Sequence, residues 1–186
     1  MIPTLPLALR NRLAETILAA FHDTRARAVL ASLATDDDAR RWLDGADGRW
    51  ITPLLDRARC ASRALGPRPL RAATADLATT LEDAAALYAA GLHFEVHEIL
   101  EPHWVTSEGE TREALQGLIQ AAVGFQHFAN GNLAGARSLL IDASGRLHGR
   151  QLRGRDLEAF ARGVAAAADA VSAGAPVVAP PFPREQ

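Results

Sequence analysis

At 186 residues, 48% of them hydrophobic, the chain can bury a core that folds without staples, as one domain with extensions or as two small ones. Its formal net charge of -2 gives no general attraction to nucleic acid or to an anionic membrane, so neither is expected as a partner. Cys60 is the only cysteine, which excludes a disulfide framework and suits a reducing cytoplasm.

The opening "MIPTLPLALRNRLAET" has no basic leader ahead of its short apolar stretch, so no signal peptide is expected. No uninterrupted apolar run reaches the roughly eighteen residues of a membrane span. Apolar residues recur at spacings of three and four almost throughout, and no alternating strand pattern stands out. The predicted fold is all-α: an irregular multi-helix bundle of antiparallel helical hairpins with an extended Pro-rich C-terminal tail.

The first predicted helix runs over about 7–33, with Leu9, Leu13, Ile17, Ala20 and Phe21 on one side. The run "TDDD" at 35–38 then opens a short helix through Trp42, because carboxylates accept first-turn amides and oppose the helix dipole. Another helix is expected over about 52–65, ending at "GPRPLR", whose prolines and glycine mark the best boundary in the chain. This divides the sequence into an N-terminal helical extension, 1–70, of unassigned role, and a helical domain with the tail, 71–186.

Beyond the boundary, helices are expected over about 74–90, 93–105, 111–129, 133–147 and 156–173. Gly91 stops the first of them, and "NGN" at 130–132 supplies both a stop and a fresh cap. The four prolines of "APVVAPPFPREQ" predict an extended strap or a loose tail.

Four of the six histidines fall between 93 and 127, where helices should be burying carbon. On a wheel of about 100° per residue, the helix starting at His93 has a broad apolar arc through Val96, Ile99, Leu100, His103 and Trp104, with Glu95 and Pro102 opposite and toward water. His97 and Glu101 lie one turn apart beyond that arc, flanked by Phe94 and Trp104, and Glu98 sits nearer the solvent edge. The helix over 111–129 is apolar on nearly all sides, as a central helix is. Its exceptions, Gln116, Gln120 and His127, project within about 40° of one another. Gly117 and Gly124 border that stripe, where small residues let a neighbouring helix approach closely. The short acidic loop "TSEGE" sets the two helices side by side, so His97 and Glu101 are expected to face Gln120 and His127 in a buried or half-buried cluster with Gln116 at its edge.

These stretches, "GLHFEVHEILEPHW", "LQGLIQAAVGFQHFANGNLAGA" and the following "RSLL", resemble the helical family called domain of unknown function 309 over about 75–147. The resemblance implies a small all-α domain with His97, Glu98, Glu101, Trp104, Gln116, Gln120, His127 and Asn132 as signature positions. It implies no particular activity.

Two readings of the cluster follow from its residue types. As a hydrogen-bonded seam it fixes helix register, since buried polar groups need partners and glutamine is a poor metal ligand. As a site it binds a small ligand or a divalent metal, with His97, Glu101 and His127 offering two nitrogens and a carboxylate to zinc, manganese or iron. The string "HEILE" lacks the second histidine of the zincin motif H-E-x-x-H, and Glu101 stands in its place. Trp104 reads as a core anchor before it reads as a ligand platform. Glu98 or Glu101 as base and His97 or His127 as acid would make an enzyme, a question the sequence leaves open.

The alternative is a protein interaction module of helical-hairpin repeats, of which two units are visible where a free-standing array needs three or more. A small molecule, a protein partner and a second copy in a homo-oligomer all remain open. Around His148, Arg146, Arg150, Arg153 and Arg155 form a glycine-punctuated loop that can hold a phosphate, or is simply a solvated connector.

Overall fold

Three of the described α-helices begin at a side chain that accepts a first-turn amide: Asp23, Asp76 and Asn132. The computed structural model describes residues 2–45 and 47–185. Its helices are α1 (Leu7–Ala19), α2 (Thr24–Ser32), α3 (Asp36–Leu43), α4 (Ile51–Leu65), α5 (Leu77–Ala89), α6 (His93–Thr106), α7 (Gly109–Ala129), α8 (Leu133–Leu147) and α9 (Glu158–Ala173). Strands β1 (Gln151–Leu152) and β2 (Arg155–Asp156) form a small antiparallel hairpin between α8 and α9. The fold is an all-α multi-helix bundle, and among the described residues no helix is long and apolar enough to cross a membrane.

Two expectations about local structure are corrected. The single helix over 7–33 is two helices, α1 and α2, because Asp23 accepts a hydrogen bond from the Arg25 amide at 2.8 Å and caps a new start. The carbonyls freed at the break are collected from elsewhere: Arg27 Nε donates to Ala20 O at 3.1 Å and the Arg71 amide to Phe21 O at 3.0 Å. The second correction is the hairpin itself, where no strand was expected. Arg153 and Gly154 both have positive φ (46° and 73°), which makes a tight two-residue turn. Asp156 therefore pairs with Gln151 and precedes α9 instead of opening it. Strands of two residues have no alternation to read.

The core is one contiguous apolar cluster from Leu5 to Phe182, so the first 70 residues and the remainder share it. At its centre α7 lies between α6 and α8 and buries Leu115, Leu118, Ile119, Ala121, Ala122 and Phe125. The close approach expected at the two glycines is with α8. A Cβ on Gly117 would come within 2.7 Å of Leu147 Cγ, and one on Gly124 within 2.9 Å of Leu140 Cγ. Any larger residue must push α8 outward.

The α5–α6 and α7–α8 hairpins turn by the same device. Gly91 (φ 73°) and Gly131 (φ 79°) take the left-handed conformation that other residues resist. Across them the Leu92 amide donates to Leu87 O at 2.9 Å, and the Asn132 amide to His127 O at 2.9 Å. Asn132 then caps α8 as expected, accepting from the Gly135 amide at 3.0 Å. Residues 175–185 contain no helix or strand, and Phe182 is buried among the core rings.

Candidate functional site

Helix α6 starts at the Gly91 turn and runs along α7, which puts His97, Glu98 and Glu101 on its outer edge. His97 Nδ1 is 3.0 Å from Glu98 Oε1 and its Nε2 is 3.9 Å from Glu101 Oε2. The three side chains can bring one ligand atom each within 4.8 Å of one another, and none is closed off from water. His97 is 27% exposed and Glu101 47%, so an ion can enter without the fold opening. One imidazole nitrogen and two carboxylate oxygens, with positions left for water, suit zinc, manganese or iron(II).

Beside this group is a cavity of about 400 Å³. His97 and Glu98 line one part of it, Gln126 and His127 of α7 another, and Arg10 of α1 stands with its guanidinium 4.2 Å above the Phe94 ring. His97 and His127 thus meet at one cavity. Among the described residues, however, no hydrogen bond joins His97, Glu98 or Glu101 to Gln116, Gln120 or His127.

His127 has a different immediate partner, Asn132, whose Nδ2 is 2.8 Å from its Nδ1. The Asn132 oxygen accepts the Gly135 amide, so the nitrogen faces the ring and donates to it. That bond makes Nδ1 the acceptor and puts the neutral ring's proton on Nε2. His127 then offers a donor N–H, not a lone pair.

The remaining predicted positions sit close by with other duties. Trp104 packs half-buried against the core, its Nε1 enclosed and without a partner among the described residues. The Arg112 guanidinium lies 4.2 Å over its ring and donates to the carbonyls of Trp104 at 2.9 Å and Ser107 at 3.3 Å, closing the end of α6. Gln120 is half-buried with its Oε1 enclosed and unpartnered, and Gln116 is half-buried. In the 146–155 stretch two of the four arginines are paired with carboxylates and Arg150 Nε donates to the Arg146 carbonyl at 2.6 Å. Arg155 is buried and pairs with Glu82, Arg146 pairs with Glu113, and His148 Nδ1 lies 3.0 Å from Glu158.

Residues 81–139 match the family model described as Domain of unknown function (DUF309). This segment is similar to the DUF309 family. It reaches from α5 into α8 and contains every predicted site residue from His97 to His127. No curated protein and no solved structure matches the chain at a significant level.

One polar centre of the DUF309 segment was misread from the sequence. Glu95, expected toward water, is fully buried, and its Oε2 receives a hydrogen bond from Arg57 Nη2 of α4. The same guanidinium donates to Ile2 O at 3.2 Å and Pro3 O at 3.4 Å, tying the N-terminal strap to α6. The wheel treated α6 as a surface helix and could not see α4 arriving. A signal was present: Arg57 lies on the apolar stripe of Leu54, Ala58, Ala61 and Leu65, where an arginine needs a carboxylate partner.

Proposed function

We propose that the DUF309 segment binds a divalent metal ion on His97, Glu98 and Glu101, as a cytoplasmic ligand-binding module. What carries this reading is the convergence of three ligand side chains within 4.8 Å beside an accessible cavity. Glu98 and Glu101 bring negative charge that a cation offsets, and His97 contributes the nitrogen that selects zinc, manganese or iron over calcium. His127 faces the ion across the cavity as a hydrogen-bond donor and, with Arg10, suits a water or small anionic ligand completing the coordination. Glu101, the more exposed carboxylate, is placed to act as a base if the module is an enzyme. Trp104 packs against the core beside this group.

The test is metal uptake. Untagged protein is incubated with zinc, manganese or iron(II), desalted and measured by elemental analysis. Wild type should retain up to one equivalent, and His97→Ala and Glu101→Gln should lose it. His127→Ala should keep it, because its lone pair is engaged by Asn132. Metal-free wild type, or uptake that ignores His97, would end the reading.

A second reading rests on the shared device of the hairpin turns at Gly91 and Gly131, a positive-φ glycine followed by the same backbone hydrogen bond. Under it, α5–α6 and α7–α8 are repeat units of a protein interaction module and the polar group is structural. Metal uptake separates the two.

A further inference from the structure

The turn at Gly91 holds a second pair of polar side chains that the outer site does not use. Tyr88 near the end of α5 and His93 at the start of α6 are both buried, with ring centroids 4.8 Å apart and edge-on. Tyr88 Oη and His93 Nδ1 are both enclosed, and neither has a hydrogen-bond partner among the described residues. Polar atoms so enclosed are nearly always partnered, so two neighbouring orphans mark this turn as a place where a partner is missing. Space for one exists. A cavity of about 340 Å³, within the size range of small-molecule sites, lies between this turn and the C-terminal strap.

The cavity wall has three kinds of surface. Tyr88 and His93 supply neutral hydrogen-bonding groups, while Ala85, Ala89, Pro180 and Phe182 supply carbon. Arg184 supplies a cation: it is exposed, lines the same cavity and forms no ion pair among the described residues. The strap that carries Pro180, Phe182 and Arg184 is held down at two points. Phe182 packs against Tyr88 at 5.4 Å between centroids, and Pro180 rests on Gly163, where a Cβ would come within 2.5 Å of it.

We propose that this cavity is a ligand site, separate from the metal group, for a small carboxylic acid with an apolar body and a hydroxyl or carbonyl at its far end. The carboxylate pairs with Arg184 at the solvent side, where a guanidinium favours planar two-oxygen anions. The body lies along the alanines, Pro180 and Phe182. The far-end oxygen meets the His93–Tyr88 end of the cavity, where the Gly91 turn and the strap must part slightly to admit it to the enclosed Tyr88 Oη and His93 Nδ1. Those two groups stay uncharged at neutral pH, since burial lowers the His93 pKa to about 3 and raises that of the Tyr88 hydroxyl. A neutral inner end accepts a hydroxyl or carbonyl and rejects a second charge, for which burial would be costly.

Calorimetric titration with 4-hydroxybenzoate, benzoate and 4-hydroxybenzyl alcohol tests each part separately, on the metal-free full chain so that the result does not depend on the metal reading. 4-Hydroxybenzoate should bind saturably at one site, and loss of either polar group should weaken binding by about tenfold, the usual worth of a charge-assisted or buried hydrogen bond. Arg184→Gln, an exposed change, should remove the preference for the acid over the alcohol. Tyr88→Phe, with a thermal melt to show that it folds, should shrink the preference for the hydroxylated acid over benzoate. Absence of saturable binding by all three probes, or binding that Arg184→Gln leaves unchanged, would overturn the proposal.

Discussion

Helix α6 carries two polar groups only a few residues apart, and they live under different physics. On the inner edge Glu95 is 0% exposed and locked to Arg57, while on the outer edge Glu101 is 47% exposed and meets His97 only at 3.9 Å. The inner carboxylate has lost its water and must keep its partner, so it serves the fold. The outer one keeps much of its hydration and has no fixed partner, so it is free to take a ligand. Burial, more than residue type, separates a structural carboxylate from a candidate site.

The strongest way to break that contrast is Glu95→Gln. It leaves the Arg57 guanidinium buried without its counter-charge, so urea unfolding should show a loss of about 3–5 kcal/mol. The double variant Glu95→Leu with Arg57→Met should lose far less, because replacing both charges by carbon is close to neutral. A small effect of Glu95→Gln alone would show that water reaches the pair.

His93 predicts a pH dependence of the inner edge. Its pKa is pushed down to about 3, chiefly by burial and further by the nearby Arg57 charge. Below pH ~6.5 the unfolded chain therefore binds a proton that the folded chain refuses, and stability falls as pH drops from about 6.5 toward 3. The slope approaches ~1.4 kcal/mol per pH unit, or about 2 kcal/mol between pH 6.5 and 5. Urea melts across that window should show this fall in wild type, and a much flatter profile in His93→Phe.

Asn132→Ala sharpens the outer side. It removes the α8 cap, at a cost of about 1 kcal/mol in urea melts, and releases His127 Nδ1. Its imidazole resonances in nitrogen-detected NMR should shift from a single Nε2–H tautomer toward a mixture. An unchanged tautomer would mean that something other than Asn132 orients the ring.

The smallest expected effects on stability are at the candidate site itself. His97→Ala and Glu101→Gln should change the unfolding free energy of the metal-free protein by no more than about 0.5 kcal/mol, as half-exposed positions do. Wild type in the presence of metal should gain about 2.7 kcal/mol at a hundredfold excess over Kd, and the two variants should gain none. Destabilisation by both variants with no response to any ion would make the outer group a structural seam.

Much of this architecture was legible because helices announce themselves locally. The Gly91 and Gly131 stops, the Asn132 cap and the all-round apolar surface of α7 are properties of a few adjacent residues. A close neighbour at Gly117 and Gly124 was legible for the same reason, but that the neighbour is α8 was not. The 7–33 break was missed because Asp23 signals a cap only weakly inside an otherwise continuous pattern, and the partners of the freed carbonyls, Arg27 and Arg71, act through the folded state.

By itself the sequence determined the fold class, most helix ends and the one-turn pairing of His97 with Glu101 on a helix edge, since spacings of three and four residues bring side chains together on a helix. Only the tertiary structure decided which polar residues keep their water. Glu95 is buried because α4 lays Arg57 against it, and His127 donates because Asn132, held by the α8 cap, faces its Nδ1. The chamber at Tyr88 and His93 exists because a strap from beyond α9 folds back over the Gly91 turn. Each of these depends on chain segments far apart in sequence, and a wheel drawn for one helix contains no information about what will cover it.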